Sequence, residues 1–357
     1  MAKRSSQKSN LNVRLHFVFS GTRALVCLVL LALLLGAYLV VPRFLPLDKP
    51  VDTSINDGTS LVWHTVDVGQ GDCTIVQFPD DKVLMVDAGT PDSYSAIIDY
   101  LDVWQIDTID WFVITHPHND HYGSAQKLLE NQSLTFNELY KSECPSSNKT
   151  YQFMDDYPFQ VPTNGDKIEG DDYTITFVLT TYNPSDSNVN NASLMMTIEY
   201  FDTIFVLTGD AEKETDDNFI RSATALGIFD NKNGKQIILK VAHHGAANGS
   251  TEKFLEFIFG DVPENYFALI SCGKGNKYNH PTQAALNRLK QYVAEDNILI
   301  TMEVGDIVVQ ATATGLIVNG AEAPFNTVAY SSIFIGIGVL IVILCFCEFH
   351  TKTVRRK

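Results

Sequence analysis

Hydrophobic and polar positions divide this chain into two long apolar ends and a middle built from short periodic segments. Residues 24–41 and 328–347 carry no charged side chain, and about 20 such residues cross the hydrocarbon core of a bilayer as a helix. From residue 61 onward, short apolar runs typical of strands alternate with helix-like segments. Strands are predicted at 61–66, 73–78, 83–86, 111–115, 173–179, 194–200, 203–207, 236–241, 266–270, 298–302 and 307–311, and helices at 93–104, 123–131, 213–224, 251–259 and 282–294. The alternation predicts an α/β domain that opens with antiparallel strands.

Basic residues flank both apolar runs, and such flanks remain on the cytoplasmic side of a membrane. They are Lys3, Arg4, Lys8, Arg14, Arg23, Lys352, Arg355, Arg356 and Lys357. We therefore predict two transmembrane helices in the plasma membrane, with both termini cytoplasmic and the middle of the chain extracytoplasmic. The alternative for the first run is a cleaved signal peptide. That run exceeds the usual signal length of about 7–15 residues, and its exit through Val40-Val41-Pro42-Arg43 offers no small-x-small cleavage site.

The predicted organisation has six segments, which are a basic N-terminus (1–23), a first span (24–41), a tether (42–60), a globular domain (61–322), a second span (328–347) and a basic tail (348–357). Two spans do not form a transport pore, so a role in transport would require a membrane-protein partner. Of the six cysteines, only Cys73, Cys144 and Cys272 lie between the spans. This odd, sparse set is no disulfide framework.

The middle of the chain is strongly acidic, although the whole protein has a formal net charge of only −16. Residues 49–326 contain 16 basic and 40 acidic side chains, a formal charge of −24. Proteins that hold nucleic acid by neutralising phosphates need a basic excess, so we expect no basic nucleic-acid-binding surface. Anionic substrates are still compatible with the sequence, because bound metal ions supply local positive charge.

The chemistry is concentrated in Ile114-Thr115-His116-Pro117-His118-Asn119-Asp120-His121, which directly follows an apolar strand. In extended backbone, His116 and His118 point to the same side, and histidine with carboxylate is a typical zinc ligand set. Two later segments also end an apolar strand with potential ligands, at Asp210 and at His243-His244. Together the three segments predict a site for two metal ions.

With these motifs the chain resembles the metallo-β-lactamase superfamily, and within it the outer hydrolase domain of ComEC-type competence proteins. The matching motifs are Asp67-Val68-Gly69-Gln70-Gly71-Asp72, Asp87-Ala88-Gly89, His116-x-His118-x-Asp120-His121, Asn191-Ala192-Ser193-Leu194, Leu207-Thr208-Gly209-Asp210, His243-His244-Gly245 and Asn276-Lys277-Tyr278-Asn279-His280-Pro281. The resemblance implies a four-layer αβ/βα sandwich, flanked here by the two predicted transmembrane helices, with two divalent metal ions at one edge. Zn²⁺ suits the ligands best, and Mn²⁺ is the alternative.

Carried over by position, the resemblance implies that His116 and His118 hold the first metal. It implies further that Asp120, His121 and His243 hold the second, and that Asp210 bridges the two. Many members of the superfamily have another histidine on the first metal where this chain has Asn191 and Ser193, so we predict a weaker first site. Residues expected to support ligands or meet substrate are Asp67, Asp72, Asp87, Asn191, Ser193, Lys274 and Asn276.

Such a site implies hydrolysis by a metal-activated water. The catalytic candidates are Asp120, which helps to position the water, and His280 or His244 as proton donor to the leaving group. His244 could alternatively be a packed residue that supports a ligand. The resemblance favours a phosphodiester and a nuclease-like activity. Another ester, a lactone, a lipid or a cell-wall component is the alternative substrate, and a non-catalytic metal-binding module is the third interpretation.

Overall fold

A computed structural model describes residues 11–17, 20–40, 56, 58–144, 151–179, 181, 183, 185–260, 266–320, 337, 340–345 and 347–353. The chain divides into two compact units. One comprises residues 1–50 and 324–357, and the other is the continuous segment Val51–Ala323. The second unit contains every residue of the predicted metal site.

The elements follow one another along the chain in this order: β1 (Leu11–Phe17), α1 (Gly21–Val40), β2 (Leu61–Thr65), β3 (Thr74–Gln77), β4 (Val83–Val86), α2 (Tyr94–Val103), β5 (Thr108–Ile114), α3 (Asn119–Tyr122), α4 (Ala125–Leu129), β6 (Thr135–Lys141), β7 (Phe159–Gln160), β8 (Lys167–Glu169), β9 (Tyr173–Leu179), β10 (Met195–Tyr200), β11 (Thr203–Leu207), α5 (Lys213–Leu226), β12 (Gln236–Lys240), α6 (Glu252–Phe259), β13 (Tyr266–Ile270), α7 (Gln283–Leu289), β14 (Ile298–Ile300), α8 (Thr301–Val304), β15 (Ile307–Thr312), β16 (Gly315–Gly320) and β17 (Cys347–Thr353).

Two mixed sheets form the centre of the second unit. The first sheet has eight strands in the order β16-β15-β2-β3-β4-β5-β6-β7, and the second has seven in the order β14-β13-β12-β11-β10-β9-β8. In the first sheet, the antiparallel strands β2 to β4 give way to parallel pairing of β4 with β5 and of β5 with β6. In the second, β11, β12, β13 and β14 are parallel. The antiparallel opening predicted from the sequence is therefore confirmed.

Three hydrophobic cores separate four layers. Helix α2 and the α3–α4 segment pack on the outer face of the first sheet through a core that includes Ile97, Leu101 and Phe112. Helices α5 and α6 cover the second sheet through a core that includes Phe219 and Phe254. A third core lies between the sheets. Because both faces of each sheet are covered, the central strands are apolar throughout rather than alternating.

This arrangement is the mixed α/β two-sheet fold that the motifs implied. Most of the predicted strands are present, but the sequence did not predict β6, β7, β8 and β16. Strands β6 and β8 have mostly polar or exposed residues, and polar edges typically keep sheets from pairing with other chains. The strand predicted at 298–302 ends at Ile300, where the short helix α8 begins.

The other unit contains helix α1 and a two-stranded ribbon. Strand β1 pairs antiparallel with β17, so that Leu11 lies opposite Thr353 and Phe17 opposite Cys347. Helix α1 overlaps the first predicted span. Within the part of the chain that the structure describes, however, no helix is both long enough and apolar enough to cross a membrane. The predicted tether 42–60 and second span 328–347 lie largely outside the described residues.

Candidate metal centre

The candidate site lies where strands from both sheets end. The His116–His121 segment follows β5 of the first sheet, while Asp210 and the His243-His244 pair follow β11 and β12 of the second. Because β11 and β12 are parallel neighbours, their carboxyl ends lie at the same edge. The edge between the two sheets thus collects the ligand types that the sequence predicted would meet.

Four side chains there form a compact group. The Nε2 atom of His121 lies 3.1 Å from Oδ1 of Asp210, and Nε2 of His244 lies 3.7 Å from the same oxygen. The His244 Nε2 atom is also 3.4 Å from Oδ2 of Asp120. Two ligand atoms of a tetrahedral zinc ion lie about 3.4 Å apart, because each Zn–N or Zn–O bond is about 2.1 Å long. These spacings therefore match one divalent cation.

A buried carboxylate fixes the ring of His121. Oδ2 of Asp87 lies 2.7 Å from Nδ1 of His121 and accepts a 2.8 Å hydrogen bond from the Thr115 hydroxyl. The Thr115 backbone N–H donates to the other oxygen of Asp87. With Nδ1 engaged by Asp87, the opposite nitrogen, Nε2, is directed at Asp210. This is the usual way in which a carboxylate orients a metal-binding histidine.

A second buried carboxylate, Asp72, lies behind His244. Nδ1 of His244 is 2.9 Å from the carbonyl oxygen of Ser271 and 3.3 Å from Oδ1 of Asp72. The other oxygen of Asp72 accepts a 2.5 Å hydrogen bond from Nζ of Lys240, which also donates to the Val241 carbonyl. Both members of this ion pair are buried. Asp72 thus contacts both a histidine and the lysine at the end of β12.

Two further histidines, His116 and His243, lie near the other oxygen of Asp210. Nε2 of His116 lies 3.7 Å from Oδ2, and Nε2 of His243 lies 3.8 Å from it. His118 approaches His116, with 3.0 Å between its Nδ1 atom and Nε2 of His116. Glu212 Oε1 lies 3.3 Å from Nδ1 of His243. The two carboxylate oxygens of Asp210 therefore face two different sets of imidazoles.

Potential ligand atoms within 4.8 Å of one another form four groups in the described chain, namely His116 with His121 and Asp210; Asp120 with His121 and His244; Asp72 with Asp210 and His244; and Asp72 with Asp87 and His121. His118 and His243 stand outside these groups. The sequence had assigned His243 to the second metal, but in the structure it is His244 that joins Asp120 and His121.

The charges of the cluster fit a cation. Burial alone would lower the pKa of His121 and of His244, but the neighbouring carboxylates, of which Asp210 contributes most, together outweigh it. Asp210 and Asp87 raise the pKa of His121 well above the usual range, and Asp210 and Asp72 raise the pKa of His244 to about 10. Yet His121 Nε2, His244 Nε2 and Asp210 Oδ1 are buried without a hydrogen bond. Buried polar atoms normally have partners, and a divalent cation would bind all three.

In the loop that precedes β10, Asn191 and Ser193 both have hydrogen-bond partners. The Asn191 side-chain NH₂ donates a 2.8 Å hydrogen bond to Asp186, and the side-chain oxygen of Asn191 accepts a 2.8 Å hydrogen bond from the Thr215 hydroxyl. Ser193 Oγ accepts a 3.0 Å hydrogen bond from the backbone N–H of Asp210. Asn191 and Ser193 thus shape the loop and hold the backbone of Asp210.

The loop before α7 forms one rim of the site. Asn276 accepts from the backbone N–H of His280 at 2.9 Å and donates to its carbonyl at 2.6 Å. The exposed ring of Tyr278 stacks on His280 with 5.6 Å between centroids, and Lys277 Nζ lies 4.9 Å from the Tyr278 centroid. Lys274 is exposed in the same loop. The half-buried His280 ring lies 5.5 Å from that of His243.

The Asp67–Asp72 loop packs against the ligand segment. The backbone N–H of Asp72 donates to the carbonyl oxygen of Asp120 at 3.0 Å. A Cβ atom at Gly71 would lie 2.6 Å from that oxygen, so only glycine permits this approach. Asp67 lies outside the cluster, where Oδ1 accepts from the backbone N–H of Gly69 at 3.1 Å. Its contribution is to the shape of the loop.

Sequence reasoning missed two residues of the site, Lys240 and Glu212. Lys240 ends the otherwise apolar strand β12, and a charged residue in a buried strand is a signal that it has a partner. Glu212 follows Asp210 by two positions and is held by the side-chain amides of Asn188 and Asn190, at 2.8 and 2.7 Å. Nothing in the sequence separated it from surface glutamates.

Comparison with known proteins agrees with the geometry. The chain is 29% identical over 249 residues to ComE operon protein 3 of Bacillus subtilis (strain 168), covering 64% of this chain and 30% of that protein. It is 26% identical over 245 residues to Recombination protein 2 of Haemophilus influenzae, covering 64% and 26%. It is 23% identical over 250 residues to Competence protein ComA of Neisseria gonorrhoeae, covering 68% and 31%. The chain spans less than a third of the length of each relative, and the resemblance to ComEC-type competence proteins is confirmed.

The profile of the metallo-beta-lactamase superfamily matches residues 66–264. This range is more than half of the chain and includes His116, His121, Asp210 and His244. This match agrees with the two-sheet sandwich and with the carboxylate and imidazole groups at its edge. The chain belongs to the metallo-beta-lactamase superfamily.

Proposed function

We propose that this protein is a metal-dependent hydrolase that cleaves a phosphodiester bond. The observation that carries the proposal is the position of Asp210, whose two oxygens face separate sets of imidazole nitrogens. Two divalent cations bound there would lower the pKa of a water molecule and polarise an oxygen of the scissile group. The histidine and carboxylate ligands suit Zn²⁺ best, with Mn²⁺ as the alternative.

The residues around the cations would have distinct tasks. The carboxylate of Asp120 is partly exposed and can orient a water molecule, while the buried carboxylate of Asp210 would hold the cations. His244 faces these carboxylates with Nε2, which suits it to bind a cation rather than to donate a proton to substrate. Burial, reinforced by His243 and His244, lowers the pKa of His280 to about 4. The neutral ring of His280 offers one donor and one acceptor. We assign it a proton relay, in which its acceptor nitrogen takes a proton from the attacking water while the N–H of its other nitrogen passes a proton to the leaving oxygen, so that the ring ends neutral.

The rim of the site supports an anionic substrate. Lys274 and Lys277 place two positive charges on the loop that carries His280, and the exposed ring of Tyr278 lies between Lys277 and His280. An ammonium group beside an aromatic face is suited to a phosphate next to a planar or apolar group. Because residues 49–326 carry a formal charge of −24, a long polyanion would be repelled beyond this rim. We therefore favour a phosphodiester that is held locally.

The similar proteins support the same substrate class. Two of them have names that refer to recombination and to competence, and a phosphodiester is the bond that hydrolysis of a nucleic acid breaks. The chain covers less than a third of their length, so transport is not included in the proposal.

The test is hydrolysis of bis(p-nitrophenyl) phosphate by the full chain in mild detergent, loaded with Zn²⁺ or Mn²⁺. We expect metal-dependent release of nitrophenolate that falls to background in Asp210→Asn. Asp216→Asn is the matched control, because it makes the same change at a buried aspartate outside the cluster and should retain activity. A folded, metal-loaded parent that hydrolyses a carboxylic ester or lactone but no phosphodiester would refute the substrate class.

We also propose that the protein is anchored in the membrane by its two apolar ends, with the hydrolase domain outside the cytoplasm. The antiparallel pairing of β1 with β17 supports one part of this arrangement, the placement of both ends on the same side of the membrane, and the basic flanks support a cytoplasmic side for them. Protease added to intact cells is expected to digest the domain. Digestion only after the membrane is permeabilised would contradict the proposed orientation.

A further inference from the structure

The bridging carboxylate separates the ligands of the two cations. Oδ1 of Asp210 faces His121 at 3.1 Å and His244 at 3.7 Å, and these two imidazoles share their surroundings with Asp120. Oδ2 faces His116 at 3.7 Å. The ligands near Oδ1, which belong to the second cation, are therefore complete with one aspartate and two histidines beside the bridge. The ligands near Oδ2, which belong to the first cation, still require further protein side chains.

His243 is placed to supply one of them. Its Nε2 atom lies 3.8 Å from Oδ2 of Asp210, nearly the distance at which His116 lies from the same oxygen. Both spacings are close to the roughly 3.4 Å between ligands of a tetrahedral cation. The His243 side chain is 22% exposed, so its ring has room to close on a cation. Asn191 cannot supply this ligand, since its amide is bonded to Asp186 and Thr215.

A carboxylate, that of Glu212, lies beside the ring of His243. Oε1 of Glu212 lies 3.3 Å from Nδ1 of His243 and accepts a hydrogen bond from the Asn190 amide, while Oε2 accepts one from Asn188. The carboxylate is thus held from the side opposite to the histidine. The contact is looser than the 2.7 Å hydrogen bond between Asp87 and His121, and Nδ1 of His243 has no hydrogen bond in this geometry. A carboxylate beside Nδ1 nevertheless leaves Nε2 as the nitrogen available to a cation.

The backbone explains how neighbouring histidines serve different cations. His243 and His244 both have left-handed backbone, with φ of 50° and 53°. Such a conformation is unfavourable for a non-glycine residue and persists only where the surroundings impose it. In extended backbone the two side chains would point to opposite faces. In this turn both reach Asp210, one from each side.

We propose that His243 is a ligand of the first cation, together with His116 and His118, that Glu212 is its positioning residue, and that His244 completes the second cation. This assignment rests on the proposed metal-dependent function, although it is independent of which substrate is cleaved. It moves His243 from the second cation, where the sequence motif placed it, to the first. It also fills the position that Asn191 and Ser193 leave open.

Metal stoichiometry tests the assignment without any substrate. The full chain in mild detergent is stripped with a chelator and dialysed against buffered Zn²⁺, and bound zinc per chain is measured by mass spectrometry. We expect two equivalents in the parent and one tight equivalent in His243→Ala. Glu212→Gln should keep both sites but weaken one of them by about 10–100-fold. Asp216→Asn, a change at a buried aspartate outside the cluster, is the matched control and should bind as the parent does.

Double variants identify which cation His243 holds. His243→Ala combined with His116→Ala should still bind one equivalent, because both changes remove the same site. His243→Ala combined with Asp120→Ala should bind none tightly. The opposite pattern would return His243 to the second cation and refute the assignment, as would two unchanged equivalents in His243→Ala or a single equivalent in the parent. Inactivity toward phosphodiesters with the expected stoichiometry would reject the proposed substrate and leave the ligand assignment intact.

Discussion

The buried pair of Lys240 and Asp72 gives the sharpest prediction about stability. Nζ of Lys240 lies 2.5 Å from Oδ2 of Asp72, and both side chains are at most 4% exposed. Lys240→Met keeps most of the apolar stem but leaves a buried carboxylate without its cation. Breaking such a pair costs about 3–5 kcal/mol. Two histidine nitrogens remain near Asp72 in the variant, Nδ1 of His244 at 3.3 Å and Nδ1 of His121 at 3.9 Å. We therefore expect the lower end of this range, a decrease of about 3 kcal/mol in the free energy of unfolding.

The assay is urea unfolding of the full chain in the presence of a chelator, so that metal binding does not contribute. All three tryptophans, Trp63, Trp104 and Trp111, belong to the hydrolase domain, and their fluorescence therefore reports its unfolding. With a slope of about 3 kcal/mol per molar urea, the expected loss moves the midpoint down by about 1 M. The double variant Lys240→Met with Asp72→Asn removes both charges and should recover at least half of the loss. A single variant within about 0.5 kcal/mol of the parent, or a double variant whose loss is the sum of the two single losses, would refute the reasoning.

Two other aspartates give independent predictions. Asp87→Asn replaces the carboxylate on Nδ1 of His121 and should weaken zinc binding about 10–100-fold, measured by competition with a chromogenic chelator. Asparagine tolerates the left-handed backbone of this position (φ 62°), so unchanged affinity would show that Asp87 does not orient His121. Burial raises the pKa of Asp216 to about 6 from its ordinary value of 3.8. Its contribution to stability is therefore present below about pH 4 and lost as the pH rises through about 6. Asp216→Asn, which can keep the hydrogen bond from the Thr251 N–H, should stabilise the domain by about 1–3 kcal/mol at pH 7.5 and by about half as much at pH 5. A gain in urea unfolding that is the same at both pH values would contradict this origin.

Much of the site could be predicted because its ligands follow apolar strands. The segment His116–His121 is local in sequence, and the carboxyl ends of neighbouring parallel strands meet at one edge, which brings Asp210 to the His243-His244 pair. Which oxygen of Asp210 each histidine of that pair faces could not be predicted. Simple alternation applies to extended backbone, and both residues adopt a left-handed turn instead.

The fold was predictable where strands are buried on both faces. Strands β9, β11 and β13 begin and end where their apolar runs do. The polar strands β6 and β8 lack such a signal, since their pairing depends on the neighbouring strand rather than on their own composition. The partner of Lys240 could not be predicted either, because Asp72 lies far away in the sequence and only the packing of the two sheets brings the two residues together.

The ligands of the candidate site come from both sheets, and this has a consequence for the whole domain. Trp63 of β2 stacks on Phe205 of β11 across the core between the sheets, with ring centroids 5.2 Å apart and an angle of 8° between the planes. A cation held by His121 and Asp210 would join the same two sheets at their edge, as a reversible cross-link between distant parts of the chain. Like any cross-link that closes a long loop, it would restrict the unfolded chain. Substitutions that change the spacing of the sheets at Trp63 or Phe205 would then change metal affinity from a distance, and the supply of metal would in turn set how readily the two halves of the sandwich separate.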